Sequence, residues 1–540
     1  MTSERNYTGA KVARAIRWQR CWAGAALACA TLWACSGRKS IDNVYAQGGA
    51  TGQNASGGQG SAASRPSEAG AEHGGGAGSD DAGPANAGDS GAGGSSESGV
   101  DGDLLYFKAS NPDAQDGFGQ SLALWGDWLA VGAPDESSNS TGIGGDEEDD
   151  SGDSSGAVYL FSRQASGWAQ RAYVKASNAG SGDGFGTALA FSNGTLAVSA
   201  PFEDSRATGI DGAEGNGPGG NQGAVYVFVE ANGNWQQQAY VKATNTDAID
   251  LFGSSVALDG DILAVGAPWE DGAATSVDGD QTSNAAMNSG AAYVYERTGA
   301  VWQPLAYLKA DNAEAEDELG AALAVSGELI AVGAPGESSN DGSAADPSNN
   351  AAHEAGAAYV FARAGASYQQ VAYLKASNPH ADARFGAQLA LQGNVLAVSA
   401  VGEGTLGGDG SGSNELRPES GAVYVFERTN DAWATYLKAP VVSESAYFGA
   451  ALAPSGDTLV VGALGDDSGK LPLSGTAYVY VRPAQSWRLQ KSLRAPNAEL
   501  GDRFGSSVAL TPTRLAIGAY NEAANVPGMP GAGAAYLYRR

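Results

Sequence analysis

Acidic side chains recur at one position of a repeated segment, and their type and spacing could support chemistry. Each acid stands two residues after the last residue of a Val-Gly-Ala-Pro run or its equivalent, at Glu136, Glu203, Glu270, Glu337, Glu403, Asp466 and Glu522. Seven carboxylates collected around a central opening would attract a cation or a basic ligand. The same spacing also fits a structural role, in which each acid caps loop amides and pairs with a base.

Two further polar positions recur with these acids. A base ends another apolar run in every unit, at Lys108, Lys175, Lys242, Lys309, Lys375, Lys438 and Arg494. An aspartate stands two residues before a Phe-Gly or equivalent pair in five units, at Asp116, Asp183, Asp250, Asp317 and Asp502. We expect both acidic sets on loops that emerge on the same face of the fold. The sequence alone therefore leaves two alternatives for these acids, a ligand-binding ring and a set of structural ion pairs.

Two longer acidic segments are candidates for metal binding. The oxygen ligands that Ca²⁺ prefers are abundant there. The candidate ligands are Asp146, Asp149, Asp150 and Asp153 in the first segment, and Asp278 and Asp280 in the second. Runs of acids are also typical of solvated loops. The sequence requires no cofactor and leaves Ca²⁺ as a possible ligand.

Catalytic chemistry finds little support in the sequence. His353 and His380 are isolated, and all three cysteines lie within the first 35 residues. No His-Glu-x-x-His motif occurs. A glycoside hydrolase needs only two well-placed carboxylates. We therefore expect a protein that is not an enzyme, and a carbohydrate- or phosphoester-active enzyme that uses loop carboxylates remains an alternative.

One unit recurs seven times between residues 104 and 540. Its Phe-Gly pair or equivalent begins at residues 118, 185, 252, 319, 385, 448 and 504. Each unit contains four short runs rich in Val, Tyr, Leu and Ala, and tight polar turns join the first run to the second. Tandem four-stranded antiparallel units predict an all-β fold, a seven-bladed β-propeller.

The ends of the repeat indicate a closed ring. A fourth-run segment at 104–109 precedes the first Phe-Gly pair, whereas the last unit stops at its third run. We therefore expect the strand at 104–109 to pair beside 533–538 and complete the last blade. An open solenoid would not need this displacement.

The repeated runs resemble the FG-GAP repeat of integrin α N-terminal propellers and of many bacterial surface proteins. The matching runs include Val131-Gly132-Ala133-Pro134 and Val265-Gly266-Ala267-Pro268. The resemblance implies a propeller over all of 104–540. Integrin-type repeats often hold a calcium loop between their first two strands, but the connection here is about two residues, too short to wrap that ion. The calcium sites of the family are therefore not transferred to this chain.

The first 103 residues have a different character. Residues 1–34 combine a basic beginning with a short apolar run, as a secretory signal does. Leu32-Trp33-Ala34-Cys35 resembles the lipobox of bacterial lipoproteins, with Cys35 as the lipidated residue and Cys29 as a second candidate. Residues 35–103 are rich in Gly, Ala and Ser, and their composition predicts a disordered linker.

The net charge of −29 argues against nucleic acid as a partner, because phosphate binding requires clustered bases. We expect an exported bacterial protein, monomeric and lipid-anchored at the outer membrane or cell surface. Its propeller is interpreted as a binding or adhesion module for an extracellular or envelope protein or glycan. A scaffold in envelope assembly is another alternative.

Overall fold

A computed structural model describes residues 104–215, 220–342, 346–405, 417–427, 433–467, 471–523 and 530–540. These residues form 28 strands, arranged in seven antiparallel sheets of four strands, and one short 3₁₀ turn, Pro483–Gln485. The fold confirms the predicted seven-bladed β-propeller. The predicted signal segment 1–34 and the linker 35–103, including Cys35 and Cys29, lie outside the described residues. No helix within these ranges is long and apolar enough to cross a membrane.

We call the sheets blades 1 to 7 and the strands of each blade A to D from the channel outward. Blades 1 to 3 contain β2 (Ser121–Trp125), β3 (Trp128–Ala133), β4 (Ala157–Gln164), β5 (Gly167–Val174); β6 (Leu189–Ser192), β7 (Thr195–Ala200), β8 (Ala224–Ala231), β9 (Asn234–Val241); and β10 (Ser255–Asp259), β11 (Ile262–Ala267), β12 (Ala291–Thr298), β13 (Val301–Leu308).

Blades 4 to 6 repeat the same order. They contain β14 (Ala322–Ser326), β15 (Leu329–Ala334), β16 (Ala357–Ala364), β17 (Ser367–Leu374); β18 (Phe385–Gln392), β19 (Val395–Ala400), β20 (Ala422–Glu427), β21 (Trp433–Leu437); and β22 (Phe448–Ser455), β23 (Thr458–Ala463), β24 (Thr476–Val481), β25 (Arg488–Leu493).

Blade 7 is built from both ends of the repeat. Its strands A to C are β26 (Val508–Leu510), β27 (Arg514–Ala519) and β28 (Ala534–Arg539), and its strand D is β1 (Leu104–Phe107). In the antiparallel register Leu104 faces Tyr538 and Phe107 faces Ala535. The predicted closure of the ring by an N-terminal strand is therefore confirmed.

The hydrophobic core lies between neighbouring blades. Strand B is buried on both faces, as in β7 with its sequence TLAVSA, because each of its faces packs against another sheet. One apolar cluster joins Val158 and Leu160 of blade 1 to Phe185 and Tyr226 of blade 2. Each blade therefore needs both of its neighbours to bury its apolar residues, which favours a closed ring.

The repeated glycines form the backbone joint between blades. A Cβ atom on Gly132 would lie 2.2 Å from the carbonyl oxygen of Gly186, the Phe-Gly glycine of the next blade. Gly156, at φ +82°, approaches the backbone of Phe185 equally closely. A larger side chain at either position would force the two sheets apart. The Phe-Gly and Gly-Ala-Pro runs are thus adjacent halves of one inter-blade contact.

Short A–B turns and long B–C loops leave opposite faces of the ring. The A–B connections of blades 1 to 6 are two residues long, as in Gly126-Asp127, and the connection of blade 7 has three residues. The B–C loops, together with the D–A loops that join successive blades, emerge on the other face. We call this second face the loop face.

Candidate functional site

The repeated glutamate of each blade is part of a buried polar network, which blade 2 shows in full. The carboxylate of Glu203 lies 2.6 Å from Nζ of Lys242, and both side chains are 0% exposed. The hydroxyl of Tyr240 donates to Glu203 at 2.8 Å, and the amide of Asn178 donates at 2.9 Å. Asn178 also accepts a hydrogen bond from the hydroxyl of Tyr226. One carboxylate therefore joins the B–C loop, strand D and the preceding D–A loop.

The ion pair recurs in five other blades. The pairs are Lys175–Glu136, Lys309–Glu270, Lys375–Glu337, Lys438–Glu403 and Lys108–Glu522. Lys108 and Glu522 are separated by 414 residues, so this pair ties the two ends of the repeat together. The asparagine of the preceding loop recurs as Asn111, Asn245, Asn312, Asn378 and Asn497, each bonded to a tyrosine of strand C.

The network changes the electrostatics of its members. Burial lowers the pKa of Lys242 below its usual value, and the charge of Glu203 opposes that shift. Burial, reinforced by the same carboxylate, raises the pKa of Tyr240 well above its usual range. Charges of this kind are stabilised only when each has a partner, since an isolated buried charge is strongly destabilising. All seven predicted acidic residues are thus buried in the blades, and six of them are paired with a lysine.

Blade 6 departs from this arrangement at four positions. Asp466 replaces the glutamate, Ser492 the tyrosine, Arg494 the lysine and Val441 the asparagine. Asp466 accepts a hydrogen bond from the hydroxyl of Tyr478, whose counterpart in blade 2 is Tyr226, bonded to an asparagine. Within the described ranges no ion pair joins Arg494 to Asp466. The shorter side chain of Asp466 therefore accepts a hydrogen bond directly from the strand C tyrosine, without an asparagine between them.

The aspartates that precede the Phe-Gly pairs are buried turn residues. Asp183 accepts the backbone N–H of Gly180 at 2.8 Å, and Asp116, Asp250, Asp317 and Asp502 each accept from the residue three positions earlier. Burial, reinforced by the nearby Glu203, raises the pKa of Asp183 to about 8. Burial also raises the pKa of Asp116 to about 7, of Asp317 to about 8 and of Asp502 to about 6.

A cavity of about 310 Å³ lies in the channel near the loop face, where the first residues of the innermost strands from all seven blades line it. Its polar lining consists mainly of hydroxyl and amide groups, including Gln120, Thr187, Ser254 and Gln388. The seven repeated acids do not belong to this lining. Sequence reasoning missed the cavity because its residues differ in type from blade to blade.

The rim of the cavity carries residues that do not follow the repeat. Trp269 lines one side and packs with Phe202, Ile249 and Leu251 in a small apolar cluster. Arg384 lines the cavity and forms an ion pair with Glu354. The loop face thus covers a buried apolar cluster at blades 2 and 3, and has a charged sector at the junction of blades 4 and 5.

The charged sector includes the one metal-type cluster found among the described residues. His353, Glu354 and Asp382 each place a ligand atom within 4.8 Å of the other two. Nδ1 of His353 lies 3.1 Å from Asp382. Arg384 occupies an oxygen of Glu354, so a cation there would compete with a guanidinium group. Neither histidine was singled out as a ligand in the sequence.

The six predicted metal ligands are bonded mainly within their own loops. Asp149 accepts the backbone N–H groups of Asn139 and Ser151, and bonds from Ser151 lower its pKa. Asp146 accepts from Glu148, Asp278 from Tyr307 and Ser367, and Asp280 from Thr282. None of the six belongs to the cluster around His353. Metal binding by Asp146, Asp149, Asp150, Asp153, Asp278 and Asp280 stays a prediction.

The asparagines and tyrosines of the network were also missed in the sequence, although their spacing repeats. A tyrosine stands two residues before the lysine in six units, as Tyr240 does before Lys242, and an asparagine stands three residues after the base in six units, as Asn178 does after Lys175. Reading these positions together with the acids would have indicated a buried network.

The comparison with protein families agrees with the seven repeated units. The model of the FG-GAP repeat matches residues 107–161, 168–228, 235–295, 302–361, 368–426, 435–480 and 487–538. A search of curated proteins finds no match. Among solved structures, the chain is similar to the RRP9 WD40 repeats, with 10% identity, 81% of this chain and 98% of that chain covered, and a TM-score of 0.44. A chain of a mitotic checkpoint complex gives 11% identity, coverages of 81% and 93%, and a TM-score of 0.41. With seven matched units over most of its length, the chain belongs to the FG-GAP repeat family.

Proposed function

We propose that this protein is a non-catalytic binding module for a protein or glycan, held at the bacterial cell envelope by a lipid on Cys35. The observation that carries the binding role is the cavity at the loop face, because it combines contributions from every blade with a rim that does not repeat. Ligand sites generally lie in such concave, largely apolar places with a few polar groups. Membership of the FG-GAP family supports a binding role.

The chemistry of the lining favours a ligand with neutral polar groups. Gln120 and Gln388 offer amides, and Thr187 and Ser254 offer hydroxyls, beside apolar side chains such as Leu323. Sugar hydroxyls and the backbone of a protein loop both match this mixture. Trp269 also lines the cavity, but its side chain is only 1% exposed, so it supports the rim and does not offer a face for stacking. A glycan or a protruding protein loop is therefore the ligand class that we propose.

The envelope location rests on the first 103 residues. The signal-like segment 1–34, the lipobox-like run before Cys35 and the Gly-rich linker together describe an exported, tethered domain. A coil of about 60 residues spans roughly 40 Å on average, enough to let the propeller move freely beside the membrane surface. The proposed anchor and the proposed binding face are separate features, so they can be tested separately.

The binding role is tested by filling the cavity. Ala321 occupies the lining position that Gln120 holds in blade 1, so Ala321→Gln introduces a side chain that the fold already accommodates there. We expect Ala321→Gln to lower capture in a crosslinking pull-down from intact cells, performed with and without calcium. The control Ala364→Gln changes an exposed alanine that ends strand C of blade 4 and should leave capture unchanged.

Three outcomes separate the possibilities. Reduced capture with Ala321→Gln alone supports the cavity as the binding site. Equal capture by both variants would contradict it. Cleavage of a glycan or phosphoester by the wild-type protein, lost on changing single loop acids, would favour the enzyme alternative.

A further inference from the structure

The exposed apolar side chains of the propeller concentrate around blade 6. Seven large hydrophobic residues are exposed among the described residues, and four of them belong to blade 6 or to the loops beside it. Leu500 is 70% exposed and Val441 59% exposed, in the D–A loops on either side of the blade. Leu471 lies in its B–C loop and Leu489 in its strand D. Clustered exposed apolar residues generally mark an interaction surface.

The outermost strand of blade 6 is also basic and exposed. In β25 the side chains from Arg488 to Ser492 are exposed, although Trp487, directly before the strand, is buried like the aromatic residue of the outer strands of blades 1 to 4. The side chains of Arg488, Lys491 and Arg494 make no hydrogen bond or ion pair to any described residue. The outer strands β9, β13 and β17 carry no charge at all within their bounds.

These bases stand out against an acidic ring. Residues 118–175 of blade 1 contain nine acids and three bases, whereas residues 448–494 of blade 6 contain three acids and five bases. The 17 residues from Arg482 to Ala498 contain four bases and no acid. A surface that is locally positive and apolar on a negative protein favours a partner that is negatively charged and can also cover apolar side chains.

We propose that the outer edge of blade 6 and its flanking loops dock on an anionic lipid surface. Bases attract the anionic headgroups, and exposed Leu and Val side chains enter the headgroup layer. The chain's own acidic linker could pair with these bases, but it could not cover the exposed apolar side chains. Residues 46–99 contain no Val, Leu, Ile, Met, Phe, Tyr or Trp, so they offer nothing to cover Leu500 or Val441.

The connection of the N-terminal segment suits this orientation. Residues 1–103 join the propeller at Leu104, in the outermost strand of blade 7, which is the neighbour of blade 6. A lipid on Cys35 would leave 68 residues before that point, and their average reach of roughly 45 Å would allow blade 6 to contact the membrane. The docking surface goes beyond the proposed function and does not require the lipid, so its test omits the anchor.

The test is sedimentation of the full chain with vesicles, using a Cys35→Ser and Cys29→Ser background that cannot be lipidated. The vesicles contain phosphatidylcholine with or without phosphatidylglycerol. Each base near such a surface strengthens binding about fivefold. We expect Arg488→Gln with Lys491→Gln to lower the partition coefficient about 25-fold on anionic vesicles. The control pair Arg163→Gln with Arg171→Gln removes two exposed bases of blade 1 and should have little effect.

The apolar part is tested separately. Leu500→Ser should weaken binding severalfold, whereas Val301→Ser, at a comparably exposed turn of blade 3, should not. Equal binding by the Arg488/Lys491 variant and the Arg163/Arg171 variant would overturn the proposal, because it would assign the binding to the basic segment 1–34. Protection of the linker 35–103 from proteolysis that is lost with Arg488→Gln and Lys491→Gln would also overturn it, in favour of the linker as the occupant.

Discussion

Blade 2 and blade 6 occupy equivalent places in the ring, but among the described residues only blade 2 contains the buried glutamate–lysine ion pair. In blade 2, Glu203 is bonded to Lys242, Tyr240 and Asn178. In blade 6 the corresponding positions are Asp466, Arg494, Ser492 and Val441. Both blades nevertheless join their neighbours through the same glycine contacts, since a Cβ atom on Gly475 would lie 2.0 Å from the carbonyl oxygen of Phe504, and one on Gly223 would lie 2.0 Å from that of Phe252. The backbone joints and apolar packing therefore set the ring geometry, and the polar network adds stability to it.

The largest expected effect comes from breaking the network in blade 2. Lys242→Met leaves the carboxylate of Glu203 buried without its partner, which should lower the free energy of unfolding by about 3–5 kcal/mol. Urea denaturation followed by tryptophan fluorescence measures the change. Arg494→Met in blade 6 should cost less than about 0.5 kcal/mol, because its base has no ion-pair partner among the described residues.

The double change Lys242→Met with Glu203→Gln should recover part of the loss, because the remaining amide carries no charge. An equal loss for Lys242→Met and Arg494→Met would contradict the contrast between the two blades.

The next effect concerns pH and the buried aspartates, which blades 5 and 6 replace with Ala383 and Ala446. Burial raises the pKa of Asp183 to about 8, above its value of about 4 in an unfolded chain. The folded ring therefore holds a proton that the unfolded chain has lost. The resulting stability is fully present below about pH 4 and is lost as the pH rises through about 8.

We expect Asp183→Asn to make the urea midpoint less dependent on pH between pH 5 and 8. The slope of the free energy of unfolding against pH should change by at most about 1.4 kcal/mol per pH unit, the value for one proton. Asp149→Asn, in an exposed loop of blade 1, serves as the control and should leave the slope as it is. An unchanged slope in Asp183→Asn would show that this carboxyl group is ionised in the folded ring.

A smaller effect is expected from copying blade 6 into blade 2. Asn178→Val removes the acceptor of the Tyr226 hydroxyl and one donor to Glu203, which should cost about 1–3 kcal/mol. The reverse change Val441→Asn adds a polar group at a site that is 59% exposed, and should alter the stability by less than about 0.5 kcal/mol. Comparable losses in both variants would mean that the asparagine position is equally demanding in the two blades.

The smallest effect concerns ion pairs near the other face. Arg363 forms two hydrogen bonds with Glu296 across blades 4 and 3, but both side chains are partly exposed. Arg363→Ala should cost about 0.5–1 kcal/mol, and the loss should shrink at 1 M salt. Arg171→Ala removes an exposed base of β5 and is the matched control. A loss as large as that of Lys242→Met would remove the distinction between exposed and buried pairs.

The fold could be predicted from the sequence because its determinants are local and repeat seven times. The Phe-Gly and Gly-Ala-Pro runs mark positions where two backbones touch, and a glycine such as Gly132 cannot be replaced without moving Gly186. The displaced fourth run at 104–109 indicated the closure, because a ring needs as many outer strands as blades. The glycine contacts depend on the small size of one residue, and the closure depends on the order of segments along the chain. Both can be read directly from a sequence.

The candidate site was less accessible from the sequence. The type and spacing of Glu203 indicated a recurring acid, but its burial depends on Asn178 and Tyr240, which belong to other segments of the chain. The cavity depends on the closing of seven blades, and its lining residues share a position without sharing a residue type. Leu500 and Arg488 are exposed because no other segment of the described chain packs over them, and a local pattern of residues cannot predict this.

The pairing of β1 with β28 also determines when the ring can close during biosynthesis. Leu105 pairs with Leu537, a residue that is made 432 positions later. At about 5–20 residues per second, the ribosome needs roughly 20–90 s to supply the partner strand. Until then the ring is open and its terminal sheets lack one neighbour. A chain that can complete its core only after its last strand has been made remains incompletely packed until synthesis reaches that strand.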